Sequence, residues 1–168
     1  AFGRQNVRTT THRRLGSWSI CSMSEDSPTS GFRGLRLTGI MVSGDWFARS
    51  LLRSASEELD LFSRVIEADD GYTGLAETWQ CVEDGHAPDV VIMDLQSVGA
   101  SAARLVAELR AAPETQRTFI AVVGMPETDA PLTVRHVDFC TSHSVLSSEL
   151  SDTIEEIAMR AVAAPQGR

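Results

Sequence analysis

The chain has 168 residues, a formal net charge of -8 and 42% hydrophobic residues. That is one domain's worth of chain, enough to enclose a full hydrophobic core; no apolar run approaches the roughly 20 residues of a membrane helix, and the acidic balance argues against nucleic acid as the main partner. All 15 basic residues are Arg, so lysine-dependent chemistry, such as a Walker phosphate loop or a Schiff base, is excluded.

Residues 1–24 hold Arg4, Arg8, Arg13 and Arg14, many Ser and Thr, and no acid. The remainder carries eleven Arg against 23 acids, a net of -12. The leading segment has no helical or strand period and is expected to be a disordered basic tail. Its composition is loosely that of an organelle transit peptide, but a remnant of expression, or translation upstream of a natural start at Met23, accounts for it better. Residues 25–34, with Pro28, Gly31 and Gly34, read as a flexible lead-in.

From Leu35 the pattern becomes α/β. Leu35 to Val42 is a first predicted strand, and Ser43-Gly44-Asp45 a turn whose polar groups can cap a helix. Trp46 to Leu59 follows as a helix, with Phe47, Leu51, Ala55 and Leu59 as its inward stripe and Leu52 beside it. Leu61 to Ala68 is a second strand, and Asp70-Gly71 a turn signal. Tyr72 to Val82 is a second helix. The third strand is the most distinctive stretch of the chain, Pro88-Asp89-Val90-Val91-Ile92-Met93-Asp94-Leu95. Four apolar residues between two acids suit a strand buried on both faces of a parallel sheet. Asp94 falls at its carboxyl end, where open α/β sheets gather ligands; it is either a functional group or a loop cap. Ala100 to Ala111 is a third helix, Phe119 to Val123 a fourth strand, and Val137 to Thr141 a short fifth strand. Between the last two, only residues 128–135 are left for a fourth helix, shortened by Pro131. Val145 to Ala163 is the last helix, with Leu146, Leu150, Ile154, Ile157 and Ala158 inward. Residues 164–168 form a short tail, in which no output domain is expected. Fivefold alternation of strand and helix implies a doubly wound parallel sheet with helices on both faces. Cys21, Cys81 and Cys140 are odd in number and far apart, which suits reduced, mostly buried thiols in a cytoplasm. His12, His86, His136 and His143 have no metal-ligand spacing.

The span 35–163 resembles the receiver domain of bacterial response regulators, the CheY-like superfamily, whose fold is a five-stranded flavodoxin-like sheet. Val42-Ser43-Gly44-Asp45 followed by Arg49, Leu51 and Leu52 is similar to the family's first strand and helix. Ala68-Asp69-Asp70-Gly71-Tyr72-Thr73-Gly74-Leu75 resembles the exit of the second strand. The Pro88–Leu95 stretch, with Gly99 and Leu105, is the most specific match. Glu108-Leu109-Arg110-Ala111-Ala112-Pro113-Glu114-Thr115 resembles the end of the third helix in single-domain members related to phytochrome partners.

The resemblance implies that Asp94 stands at the phosphoacceptor position, where the family's carboxylate attacks the phosphohistidine of a sensor kinase. It also implies a magnesium ion held by the acceptor, an acidic pair after the first strand and the backbone carbonyl two residues past the acceptor, here Gln96. The chain departs from that pattern around Asp94. The acidic pair aligns with Ser43 and Gly44, and Asp45 comes one position late. The hydroxyl residue after the fourth strand aligns with Gly124, the lysine after the fifth with Ser142, and the switch aromatic with Phe139. Val98 and His143 stand where prolines are usual. Loss of compensating charge slows phosphoryl transfer by orders of magnitude, because that catalysis is mostly electrostatic.

The expected function is therefore that of a degenerate receiver of a two-component-type system. It is not an enzyme, acts by protein–protein contact and has impaired or absent magnesium-dependent phosphotransfer. No cofactor is expected; a retained magnesium ion would use Asp45, Asp94 and Gln96. The expected partner is a signalling protein such as a sensor histidine kinase, with a homodimer through the last strand and helix as a further arrangement, in the cytoplasm. Val145, Leu146 and Leu150 are candidate partner anchors where they are not core. Two alternatives stand beside it. One is a phosphorylatable single-domain response regulator accepting phosphate on Asp94. The other is a flavodoxin-like binder of flavin or nucleotide at the same strand ends.

Overall fold

The apolar runs that mark the strands pair side by side. The computed structural model describes residues 36–125 and 136–164. Its elements are β1 (Leu37–Val42), α1 (Trp46–Glu58), β2 (Phe62–Ala68), α2 (Gly71–Glu83), β3 (Val90–Asp94), a single turn α3 (Leu95–Val98), α4 (Ala100–Ala111), β4 (Phe119–Val123), β5 (Phe139–Cys140) and α5 (Leu150–Ala163). The strands form one parallel sheet in the order β2-β1-β3-β4-β5. The alternating pattern implies the doubly wound parallel sheet, and the resemblance implies its flavodoxin-like form. The strand order reverses between β1 and β3, and ligands of such sheets bind outside the carboxyl ends of the strands at that point.

Every residue of β3 and of β4 is buried. Side chains alternate across the sheet, as strand geometry requires. Met41, Val90, Ile92, Ala121 and Val123 pack with Leu52 of α1 and Ile154 and Ile157 of α5. Ile40, Val42, Val91, Met93, Ile120 and Val122 pack with Leu105, Val106 and Leu109 of α4. A strand apolar at both parities thus serves two cores, the reason Val90–Met93 shows no alternation in sequence.

Three local expectations are corrected. In α1 the buried residues are Ala48, Leu52, Ala55 and Ser56, while Phe47 is 48% exposed. The helix is turned one residue from the expected stripe, so Leu52 is its central anchor, with Leu51 and Leu59 at the margin. The last helix begins at Leu150 rather than Val145. The side chains of Ser144 and Ser147 accept from the amides of Leu146 and Glu149, at 3.2 and 3.0 Å. Such local bonds offer the backbone an alternative to helix. Val145 and Leu150 consequently belong to the core, and Leu146 is 63% exposed. β5 spans two residues instead of five, because only Phe139 and Cys140 pair with β4, opposite Ala121 and Val122.

Cys81 is buried and free, and burial pushes its thiol up, whereas Cys140 is free but exposed. No helix among the described residues is long and apolar enough to cross a membrane. The tail and lead-in 1–34, the shortened fourth helix expected over 128–135, and 165–168 lie outside the described residues.

Candidate functional site

The register of the sheet builds the site. Val42 at the end of β1 lies opposite Met93 of β3, so the next residues, Ser43 and Asp94, emerge side by side at the reversal of strand order. Both are buried, Ser43 fully and Asp94 at 6% exposure. Asp94 Oδ2 accepts two hydroxyl hydrogen bonds, from Ser43 Oγ at 2.9 Å and from Ser97 Oγ at 2.7 Å. Bonds from a hydroxyl to a carboxylate are among the stronger ones. Each serine also accepts a backbone amide: Asp45 N–H donates to Ser43 Oγ at 3.3 Å and Gly44 N–H to Ser97 Oγ at 3.0 Å. The two serine oxygens are 2.9 Å apart. Each hydroxyl has one proton, and the carboxylate is the better acceptor, so this is a close approach rather than a third strong bond.

The other residues singled out in the sequence are distributed as follows. Asp45 is the N-cap of α1; its Oδ1 accepts from Phe47 N–H at 2.8 Å and Ala48 N–H at 3.4 Å. Asp45→Ala is expected to destabilise the fold by about 1 kcal/mol through loss of that cap. A chemical denaturation curve checks it. Gln96 lies exposed in α3. Gly124 follows β4 with φ +70°, and its amide donates to the His143 carbonyl at 2.8 Å. Ser142 is exposed in the turn after β5. Phe139 is half-buried, with the Arg160 guanidinium 5.0 Å from its ring centroid. Val98 joins the core on the α4 side of the sheet. His143 Nδ1 is 3.2 Å from Glu149 Oε2.

The structure thus brings Ser43, Gly44, Gly124 and Asp94 together and turns the Asp45 carboxylate to its own helix. Sequence reasoning missed Ser97 and Arg49. Ser97 stands three residues after Asp94, the spacing at which a cap residue and the first turn of a helix exchange bonds. That signal was present. Arg49 Nη1 donates to the Ser43 carbonyl, a contact across one turn that only the helix start creates.

Solved structures share the fold. The receiver domain of sensor histidine kinase PA1611 from Pseudomonas aeruginosa, with a magnesium ion coordinated in its active-site cleft, matches with a TM-score of 0.61 at 12% identity, over 76% of this chain and 98% of its own. The response regulator domain of Thermotoga maritima CheB matches at 0.57 and 17% identity, over 79% and 98%. The receiver domain of the histidine kinase CKI1 from Arabidopsis thaliana, complexed with Mg2+ and BeF3-, matches at 0.55 and 19% identity, over 74% and 92%.

The chain has the receiver fold. No protein-family model matches the sequence, and no curated protein does. The corner around Asp94 offers few donors for a metal ion. Magnesium wants near-octahedral oxygen ligands, usually with one or two carboxylates. Among the described residues Asp94 is the one acid hydrogen-bonded in the corner, and its Oδ2 is already engaged twice. Among the described residues no group of three or more His, Cys, Asp or Glu is placed to hold a metal ion. The donor set does not fit the ion. Nor do the glycine amides form a phosphate cradle, since those of Gly44 and Gly124 are spent on Ser97 and on the His143 carbonyl.

Proposed function

We propose that this chain is a pseudo-receiver: a receiver-type module of two-component signalling that works by binding another signalling protein, with phosphoryl transfer to Asp94 impaired or absent. The observation that carries this reading is the state of Asp94. The carboxylate stands at the carboxyl end of β3, the position that the resemblance gives to a phosphoacceptor, yet its hydrogen-bond partners among the described residues are two hydroxyls. A phosphoryl group there would meet no lysine and no acid-held cation, and phosphoryl transfer depends on such charge. No resident cofactor is needed for a binding role. The partner is a sensor kinase or another signalling protein, and self-association through β5 and α5 is a second use of the same end of the sheet.

A groove between α1 and the start of α5 is lined by Leu51, Ser54 and Glu58 on one side and Leu146, Ser147 and Ser151 on the other. Leu146 is exposed, and Trp46 and Phe47 stand exposed on the first turn of α1, one turn before Leu51. Apolar anchors of this kind dominate interface energy. Leu146→Asp and Phe47→Asp are each expected to weaken a partner captured on the immobilised chain by about tenfold or more. Asp94→Asn removes the charge but keeps an acceptor oxygen for Ser43 and Ser97, and should leave the partner's affinity unchanged. Release by Asp94→Asn, with Leu146→Asp and Phe47→Asp silent, sinks the reading.

A phosphorylatable receiver is the second reading. What favours it is Asp94 Oδ1, which accepts no hydrogen bond from the described residues. Transfer of label from a phosphorylated histidine kinase to Asp94 would establish it.

A further inference from the structure

In the loop after β1 the amides of residues 43–45 and the Ser43 carbonyl are all engaged. Ser43 N–H bonds the Ala68 carbonyl at 3.0 Å, the Ser43 carbonyl takes Arg49, and the amides of Gly44 and Asp45 go to the two serine hydroxyls. Both hydroxyls converge on one carboxylate oxygen. The backbone is shaped around this closure. A Cβ on Gly44 would stand 3.0 Å from the Ser97 carbonyl oxygen and 3.5 Å from that of Asp69. An acid at that position would push the loop after β3 away. A Cβ on Gly124 would stand 3.3 Å from Asp94 Oδ1, on a backbone with φ +70° that β-branched residues avoid. The second acid of the family pattern would require the loop after β3 to give by a few tenths of an ångström, and the hydroxyl residue would sit on a backbone strained for any side chain.

We propose that Ser43 and Ser97 form a hydroxyl staple across Asp94, tying the loop after β1 to the loop after β3 in place of a divalent cation. This rests on the pseudo-receiver reading and deepens it: the corner that would switch is a fixed joint that holds the start of α1, and with it Trp46 and Phe47, in one position. Asp94 in this account is a structural acceptor, and Ser97 is the positioning residue that carries the Gly44 amide.

Hydrogen exchange at one amide tests it. Gly44 is exposed, so its amide has no protection apart from the bond to Ser97. In the intact chain Gly44 N–H is expected to exchange at least about tenfold more slowly than in Ser97→Ala. Equal rates would overturn the staple. A thermal cycle gives the second readout. Ser97→Ala should lower the melting temperature by about 5 °C in the parent chain and by less than half of that in an Asp94→Ala background, since the bond is already gone there. Equal losses in both backgrounds, or none in either, would also overturn it. If Asp94→Ala does not fold, the exchange rate decides alone. An unlabelled Asp94 with an unprotected Gly44 amide defeats the staple and spares the pseudo-receiver reading; a labelled Asp94 with a protected amide does the reverse.

Discussion

Acetyl phosphate with millimolar magnesium is expected to leave Asp94 unmodified. The attacking carboxylate oxygen and the incoming phosphoryl oxygens are like charges, and two such charges in contact at the mouth of a sheet repel by roughly 1 to 4 kcal/mol, depending on the effective dielectric. That repulsion alone corresponds to about fivefold to a thousandfold in rate. Sites with a cation and a lysine cancel it. Here the chain contains no Lys at all, the Asp45 carboxylate caps α1, and Ser43 and Ser97 contribute dipoles only. The same deficit removes any differential affinity for beryllofluoride, and a ligand without differential affinity cannot shift a conformational equilibrium. Intact-mass and peptide mass spectrometry after the reaction should show no added phosphate on Asp94. The fluorescence of Trp46, exposed on the first turn of α1, should not respond to magnesium with or without beryllofluoride. A phosphorylated Asp94 peptide, or a saturable magnesium response, would restore the phosphorylatable reading.

The second large effect concerns stability. Leu52→Ala is expected to destabilise the domain by about 3 kcal/mol, and Phe47→Ala by less than about 0.5 kcal/mol. Leu52 is fully buried between the sheet and α5, in the cluster that includes Met41, Ile92 and Ile154. Truncating it removes the transfer free energy of its methyl groups and leaves a cavity that helices held on a five-stranded sheet cannot close. Phe47 is half in solvent and packs edge-on against Trp46, with ring centroids 5.8 Å apart. Urea denaturation of the two variants checks the order. A Phe47→Ala loss as large as that of Leu52→Ala would mean that α1 is rotated toward the stripe expected from periodicity.

That rotation illustrates where periodicity stops. Phe47, Leu51, Ala55 and Leu59 follow helical spacing as well as Ala48, Leu52, Ala55 and Ser56 do. The two faces share Ala55, and their centres differ by about 65° around the helix. Packing against Met41 and Ile154 chooses between them. The start of α5 failed for a different reason. Leu146 lies four residues before Leu150 and extends the apolar stripe, but Ser144 and Ser147 bond nearby amides and hold 144–149 in turns. Serine at those positions was a warning that hydrophobic spacing outweighed. β5 was overextended because strand length depends on the neighbour: Val137 and Thr141 lie beyond the residues that β4 pairs.

The site divides in the same way. Asp94 was legible because a buried apolar run ending in an acid places that acid at the sheet's carboxyl edge. The absence of lysine, and of acids at 43 and 44, was legible from composition and alignment alone. Ser43 was read as part of a polar turn and as a missing charge. Its positive role, donating to Asp94, depends on β1 lying beside β3, 51 residues away in sequence.

By itself, then, the sequence determined the alternation of strands and helices, the two-sided burial of β3 and the place of Asp94, because burial pattern and turn chemistry act over a few residues and are written locally. Only the tertiary structure decided which face of α1 is inside, where α5 begins, that Asp45 serves its helix rather than Asp94, and that two serines from separate loops close on one carboxylate oxygen. Those outcomes turn on distances of a few ångströms between segments that the sheet brings together, and no periodicity along the chain encodes a contact across it.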